Sequence, residues 1–343
     1  MPRSPLPPRE GISATSRRAP GGNETHDKNH LPVPDTIGEW LALEFPEADD
    51  EALRSLLSTG DMRDLAGHPV NWDDEVVPGG FYFFHRPVPP EERIPFEMGI
   101  VFEDDELLII DKPHFLASTP NGRFVRESVV TRARVEFGQP DLVAIHRLDR
   151  VTAGLLILSK RVETRGLYQR LFQDRLVTKT YRALAPLPPA GMDFPLLRES
   201  RLIKPAGGRQ VLEVEGESNS FSRIRFLGEF VPPPPRRSGE SVETQAAVET
   251  QTNVGAQAAV GEYELEPLTG KTHQLRVHMN ALGLPILGDP VYPIDSDTDP
   301  YDFSFPLQLL AASISFDDPL TGEPRRFESR LKLGRFHDSP DAE

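Results

Sequence analysis

The sequence predicts an α+β fold organised around a large, mostly antiparallel sheet. Most apolar segments are short β-like runs bounded by Gly, Pro and polar residues, among them Leu107 to Ile110, Leu155 to Leu158, Phe221 to Phe230 and Tyr263 to Leu268. Helical periodicity is confined to a few stretches. Strands and helices do not alternate regularly, so repeating βαβ units are not expected.

The elements follow in order. Residues 1–34 are polar and rich in Pro, Arg, Asn and Gly, too poor in large apolar side chains to fold, and are expected to be a disordered tail. They also lack the apolar core of a secretory signal. Residues 35–92 carry a helical pattern in Ile37, Trp40, Leu41, Leu43 and Phe45, then in Leu53, Leu56 and Leu57. The large domain is expected over 93–335. Within it, Leu142 to Ile145 and Leu155 to Leu158 flank a polar, Gly-containing turn and read as two strands joined by a loop. Glu163 to Phe172 reads as an amphipathic helix, with Leu167, Tyr168, Leu171 and Phe172 on one face. Arg161, Arg165 and Arg175 lie off that face, where each is either a solvated surface arginine or a phosphate contact. Residues 231–261 interrupt the domain between two strand-like runs. This stretch begins Pro232-Pro233-Pro234-Pro235-Arg236-Arg237 and continues almost without large apolar side chains, so it is expected to be a disordered insertion.

Composition narrows the function. The chain has 343 residues and no cysteine, which removes disulfides and thiolate metal sites and fits the cytoplasm. No run of about 18 apolar residues is present to span a membrane. The net charge of −15 argues at first against nucleic acid, but the charge is unevenly spread. Residues 35–110 hold 19 acidic and 4 basic side chains, whereas residues 119–185 hold 13 basic and 6 acidic ones. Binding answers to the local field rather than the total.

That basic half contains Ile145-His146-Arg147-Leu148-Asp149-Arg150-Val151-Thr152-Ala153-Gly154. One carboxylate, Asp149, lies between two arginines, whose charge favours its ionised form. A carboxylate on a rigid turn can be a nucleophile. Taken alone, the turn reads more readily as a surface acid paired with arginine. His146, His273 and His278 with Asp149 also raise a metal-dependent hydrolase, although the spacings are loose and the intervening arginines would repel a cation.

A second segment, Gly270-Lys271-Thr272-His273-Gln274-Leu275-Arg276-Val277-His278-Met279, runs on into Gly288-Asp289-Pro290-Val291-Tyr292. Together with the His-Arg-Leu-Asp turn it resembles the RluA-type family of RNA pseudouridine synthases. Leu107 to Pro113 is similar to that family's opening strand and Lys-Pro motif, Lys179 to Leu184 to its Lys-x-Tyr strand, and Ser315 to Glu323 to its closing strand and turn. The resemblance covers roughly 95–330. It implies the pseudouridine synthase fold, a twisted central sheet with flanking helices and an active-site cleft, and isomerisation of uridine in rRNA or tRNA without metal or cofactor. It further implies that Asp149 is the catalytic aspartate, that Arg276 pairs with and orients it, and that Tyr181 packs on the target base and assists loss of the C5 proton. Arg147 is implied to hold the surroundings of the flipped nucleotide, and Leu275 to line the base pocket, although Leu275 and Val277 read equally as ordinary core. Arg161, Arg165 and Lys271 complete the expected RNA-binding set; Lys112 and Lys271 read as phosphate-facing or structural.

RNA is the expected partner, with no membrane, no obligatory protein partner and a monomeric chain. Many members carry a small alpha-L RNA-binding module where residues 35–92 lie. Here acids stand at Asp49, Asp50, Glu51, Asp61 and Asp64, so a degenerate relative or a structural cap is expected. The chain departs from the family pattern at Ala153 (usually Ser), at His114-Phe115 (usually small residues) and at Ala311 (often His). The alternative to an enzyme is a non-catalytic RNA-binding protein that keeps the fold.

Overall fold

The computed structural model describes residues 2–21, 32–58, 60–231, 259–296 and 298–334. They group into two compact units.

The first unit comprises Met1–Glu92, Gly122–Arg126 and Thr131–Pro140. It contains β1 (Thr15–Arg18), α1 (Ile37–Glu44), α2 (Asp50–Ser58), β2 (Arg63–Asp64), β3 (Phe81–Phe84) and most of α3 (Val129–Glu136). Thr36 starts α1 with a capping box: its hydroxyl accepts from Glu39 N, and the Glu39 carboxylate returns to the Thr36 N–H. Ile37, Trp40, Leu41, Leu53, Met62, Tyr82 and Phe84 form the core, whereas Leu43 stays exposed. The strands run β1-β3-β2. Strand β1 corrects the expectation of disorder throughout 1–34. Thr15–Arg18 joins the sheet through backbone bonds to the apolar strand Phe81–Phe84, which polar side chains do not prevent, and Arg17 also pairs with Glu44 at 2.7 Å. The expected disorder of 22–31 lies outside the described residues.

The second unit comprises Arg93–Asn121, Glu127–Val130 and Asp141–Glu343. In chain order it holds β4 (Gly99–Glu103), β5 (Leu107–Lys112), β6 (Val143–Ala144), β7 (Ala153–Ser159), α4 (Val162–Gln173), β8 (Thr178–Pro186), β9 (Leu196–Ile203), β10 (Leu212–Val214), β11 (Ser220–Glu229), β12 (Val260–Pro267), α5 (Gln274–Ala281), β13 (Leu309–Asp317) and β14 (Pro324–Glu328). These strands form one 11-stranded sheet in the order β10-β9-β11-β12-β8-β13-β7-β5-β4, with β14 beside β13 and β6 beside β7. Every pairing is antiparallel except β13 with β7. The α+β class and mostly antiparallel sheet are therefore as the sequence predicts. The expected disordered insertion falls almost wholly outside the described residues; within its predicted span, Val260 and Gly261 already belong to β12.

Two cores flank the active region. Leu107, Ile109, Leu155, Ile157, Ile314 and Phe316 pack with Tyr168 and Leu171 of α4. Tyr168 ties its hydroxyl to Asp318 Oδ2 at 3.1 Å. Ala183, Ala185, Tyr263, Leu265 and Leu309 pack with Leu275 and Met279 of α5. Removing such side chains from water supplies most of the drive to form the sheet.

Among the described residues, no helix is long and apolar enough to cross a membrane.

Candidate active site

Asp149 sits on the turn between β6 and β7. Thr152 N donates to Asp149 O at 3.1 Å, closing the turn. The segment after β5 holds the backbone on both sides of it. Ser118 Oγ donates to Leu148 O at 2.8 Å and accepts from Leu148 N at 3.0 Å. Lys112 Nζ donates to the carbonyls of Pro113, Leu116 and Arg150 at 2.8, 2.8 and 3.1 Å. His114 Nδ1 donates to Val151 O at 2.8 Å. Lys112 is fully buried, so of its two sequence readings the structural one holds. Its three ammonium donors meet three acceptors, which is what tolerable burial of an amine requires. Burial lowers its pKa, and the nearby Asp149 charge opposes that shift.

Gly154 sets how closely β7 meets β13. Its φ is +109°, and a Cβ there would lie 2.4 Å from Ala311 O, so only glycine fits. The small residues noted in the sequence, Ala153 and Ala311, flank this contact: Ala153 pairs with Leu310 and Gly154 with Ala311.

The counter-charge comes from α5. Arg276 Nη1 reaches Asp149 Oδ2 at 3.2 Å. Its two-pronged grip goes elsewhere: Nε and Nη2 bond Asp289 Oδ2 and Oδ1 at 2.8 and 2.6 Å. Asp289 Oδ1 also accepts from Val291 N and Tyr292 N at 2.9 and 3.1 Å. Arg276 is 2% exposed and Asp289 1%, so this pair is a buried, fully bonded anchor. Asp149 is 23% exposed and faces the cleft with one partner from the fork. Arg150, the neighbouring arginine, has its Nη1 donating to Phe115 O and Pro300 O.

His273 starts α5 in the left-handed region, with φ +53°. Its Nε2 lies 3.8 Å from Asp149 Oδ2, and its Nδ1 lies 3.1 Å from Tyr292 Oη. Burial pushes its pKa down to about 4 against the opposing pull of Asp149, so the imidazole is neutral at pH 7. Gln274 braces the same loop. Its Oε1 accepts from Thr269 Oγ1 and Lys271 N, and its Nε2 donates to Phe221 O and Ser222 Oγ.

These groups line a cleft of about 650 Å³ that includes Arg147, Asp149, Tyr181, Leu275, Arg276 and Lys271. Tyr181 has its phenol pushed upward by burial and by the Asp149 charge, so it stays protonated. Leu275 both packs in the core and lines the cleft, while Val277 packs with Val291 and Tyr292 elsewhere. Arg161 and Arg165 are not brought to the cleft. Arg161 pairs with Glu106 at 3.4 Å and donates to Asp105 O, and Arg165 donates to Asp141 O. Arg175 does line it. The three histidines occupy different surroundings. His146 Nε2 accepts from Ile157 N, and buried His278 bonds Ser200, Ser220 and Ser222.

Sequence reading missed Asp289 and Ser118, and raised His273 only as a metal ligand. Asp289 stands in a quoted motif, but only its burial against Arg276 separates it from an ordinary turn acid. Ser118 had no signal, because its partner Leu148 is remote in sequence.

Residues 106–281 match the family described as RNA pseudouridylate synthase. The Dual-specificity RNA pseudouridine synthase RluA of Vibrio vulnificus is 34% identical over 224 residues, 64% of this chain and 78% of that protein. The tRNA pseudouridine(31) synthase of Saccharomyces cerevisiae is 30% identical over 196 residues, 56% of this chain and 46% of that protein. Ribosomal large subunit pseudouridine synthase D of Pseudomonas aeruginosa is 29% identical over 253 residues, 68% of each.

Proposed function

The chain belongs to the RNA pseudouridylate synthase family, enzymes that isomerise uridine to pseudouridine in RNA, and from that premise we propose that Asp149 is the carboxylate on which its reaction turns. The observation that carries this is the placement of Asp149: it opens on the cleft, fastened by its backbone on both sides and held by one prong of a buried arginine.

In the reaction the bond from uracil N1 to C1′ breaks and the base leaves with the electron pair. The Asp149 carboxylate stabilises or attacks C1′ as positive charge develops there. The base turns, C5 bonds to C1′, the C5 proton departs and N1 is reprotonated. Substrate and product are isomers, so no electron acceptor is consumed. Glycosidases use a second carboxyl to protonate a leaving oxygen. On this cleft wall the other carboxylate, Glu266, is ion-paired to Arg223, which suits a base that leaves as an anion.

Arg276 orients Asp149 and balances its charge. The protonated phenol of Tyr181 supports packing on the base over a role as standing base. Leu275 gives the pocket an apolar wall, and Arg147 and Lys271, exposed at the cleft, meet the nucleotide's phosphates. The target base leaves its stack to reach Asp149, which costs a few kcal/mol. Transfer or ribosomal RNA is the proposed substrate, after the tRNA and ribosomal large subunit synthases among the relatives, and the cytoplasm the proposed site of action. We read residues 35–92 as a cap whose acids disfavour RNA.

Tritium release from C5-labelled tRNA and rRNA transcripts tests the proposal. Wild type should release label and Asp149→Asn should not, while both keep the same thermal midpoint. Undiminished release by a folded Asp149→Asn protein would remove Asp149 from the mechanism.

A further inference from the structure

We propose that Arg175 is an anchor for an RNA phosphodiester at the cleft rim, an inference that rests on the reading of the cleft as an RNA site. Helix α4 ends in a double turn closed by two bonds, Leu176 N to Leu171 O at 2.8 Å and Arg175 N to Phe172 O at 3.3 Å. This arrangement places the residue after the cap in the left-handed region, where glycine is usual because it has no Cβ. The chain has an arginine there, with φ +59°. The cap gains little apolar burial, since Leu176 is 62% exposed.

The side chain explains what the backbone does not. Arg175 is exposed and lines the cleft together with Asp149 and Tyr181. Among the described residues its guanidinium has no ion pair, nor do the charged ends of Arg147, Lys179 and Lys271 on the same cleft. Other cations nearby are cancelled: Lys160 by Glu103, Arg161 by Glu106, and Arg182 by Glu262 and Glu264. In a chain of net charge −15, unneutralised cations gathered on one concave surface make a local field for an anion. A residue strained at a functional surface is the pattern expected when the side chain's task outweighs its backbone preference. Arginine suits the task, since its planar fork matches phosphate oxygens.

The test opposes stability to binding. An RNA transcript that wild type converts is first identified by tritium release, and its affinity is then measured across a salt series. Arg175→Gly should weaken binding about five- to tenfold and flatten the log–log salt slope by about 0.7, the share of one single-strand phosphate contact. Its thermal midpoint should be equal to or above wild type, because glycine relieves the left-handed backbone. Arg175→Asn, which also tolerates that conformation, should lose the same slope, and Arg175→Lys should keep it. Arg170→Ala, on the same helix and away from the cleft, serves as the control and should behave as wild type. Wild-type affinity and slope in both Arg175→Gly and Arg175→Asn overturn the anchor, as does an Arg175→Lys protein that loses the slope. A wild-type protein that releases no tritium from any transcript overturns the parent reading instead, so the two failures are distinguishable.

Discussion

Arg276 divides its guanidinium between two acids, and the division is unequal. Two donors hold Asp289 and one reaches Asp149, so the residue acts as a bracket fixed at its far side. Arg276→Lys keeps the charge but cannot grip both acids. Single-turnover conversion should fall at least about tenfold, or about 1.4 kcal/mol of transition-state stabilisation, with RNA affinity little changed. Asp289→Ala should be harsher on the fold. It strands a buried guanidinium, at about 3–5 kcal/mol of stability, which urea denaturation would read. A full-rate Arg276→Lys enzyme, or an Asp289→Ala protein as stable as wild type, would show that the bracket is not needed. The motifs brought Asp149, Tyr181, Leu275 and Arg276 into view because each stands in a short, ordered segment. Asp289 was hidden because nothing local distinguishes a buried acid from a turn acid: its partner is on a helix reached only after folding.

At the scale of elements, β5, β7, β11, β12 and α4 were legible from short apolar runs and from one amphipathic period, and β8 from its resemblance to the Lys-x-Tyr strand. Helix α5 was not. Gln274-Leu275-Arg276-Val277-His278-Met279 alternates polar and apolar like a strand, yet all six residues are buried in a helix. Polar side chains on an all-round buried helix defeat any amphipathic signal, and they are tolerated because Gln274, Arg276 and His278 each meet partners that β11, the Asp289 loop and a serine cluster provide. The thread from β1 to β3 was missed for a different reason, since backbone pairing leaves little mark in composition. The close approach of β7 to β13 is open to test through Gly154→Ala. The forced positive φ alone costs about 1–3 kcal/mol, and the overlap with Ala311 O adds to it. The midpoint in urea should drop and turnover should fall with it, because the same strand begins just after Asp149. A variant that keeps wild-type stability would mean the strands can part without loss.

For the whole molecule, four histidines make stability depend on pH. Burial is the largest cause for each and pushes His114, His273 and His278 to about 4 and His146 to about 3, from an ordinary 6.5. A folded-state pKa below the unfolded one means that the unfolded chain binds more protons between those values. The contribution is therefore complete above about pH 6.5 and is lost as the pH falls toward 4, at about 1.4 kcal/mol per pH unit for each histidine titrating in that window. Denaturation midpoints at pH 7.5, 6 and 5 should decline in that order; a flat profile would mean these rings accept a proton in the folded state as readily as in the unfolded one. Charge also acts at this scale. The sequence's basic stretch is in good part cancelled by acids that fold onto it, as Lys160 and Arg161 illustrate. With four cations left on the cleft, RNA affinity should fall with salt at a log–log slope no steeper than roughly −3.

The parallel pairing of Ala153 with Leu310 has a consequence for the order in which the molecule comes into being. The strand that leaves the Asp149 turn acquires one of its neighbours only when Leu309–Asp317 has been synthesised, so the contact is remote in sequence. Such pairings are slow, since a long loop must close before they are rewarded. A ribosome-bound or truncated chain ending before Leu309 would have the motif that bears the carboxylate but lack both the strand beside it and the Leu309 wall of the cleft. Catalytic competence is thereby coupled to synthesis of the strand that begins at Leu309, and a fragment that binds RNA before then would do so without altering it.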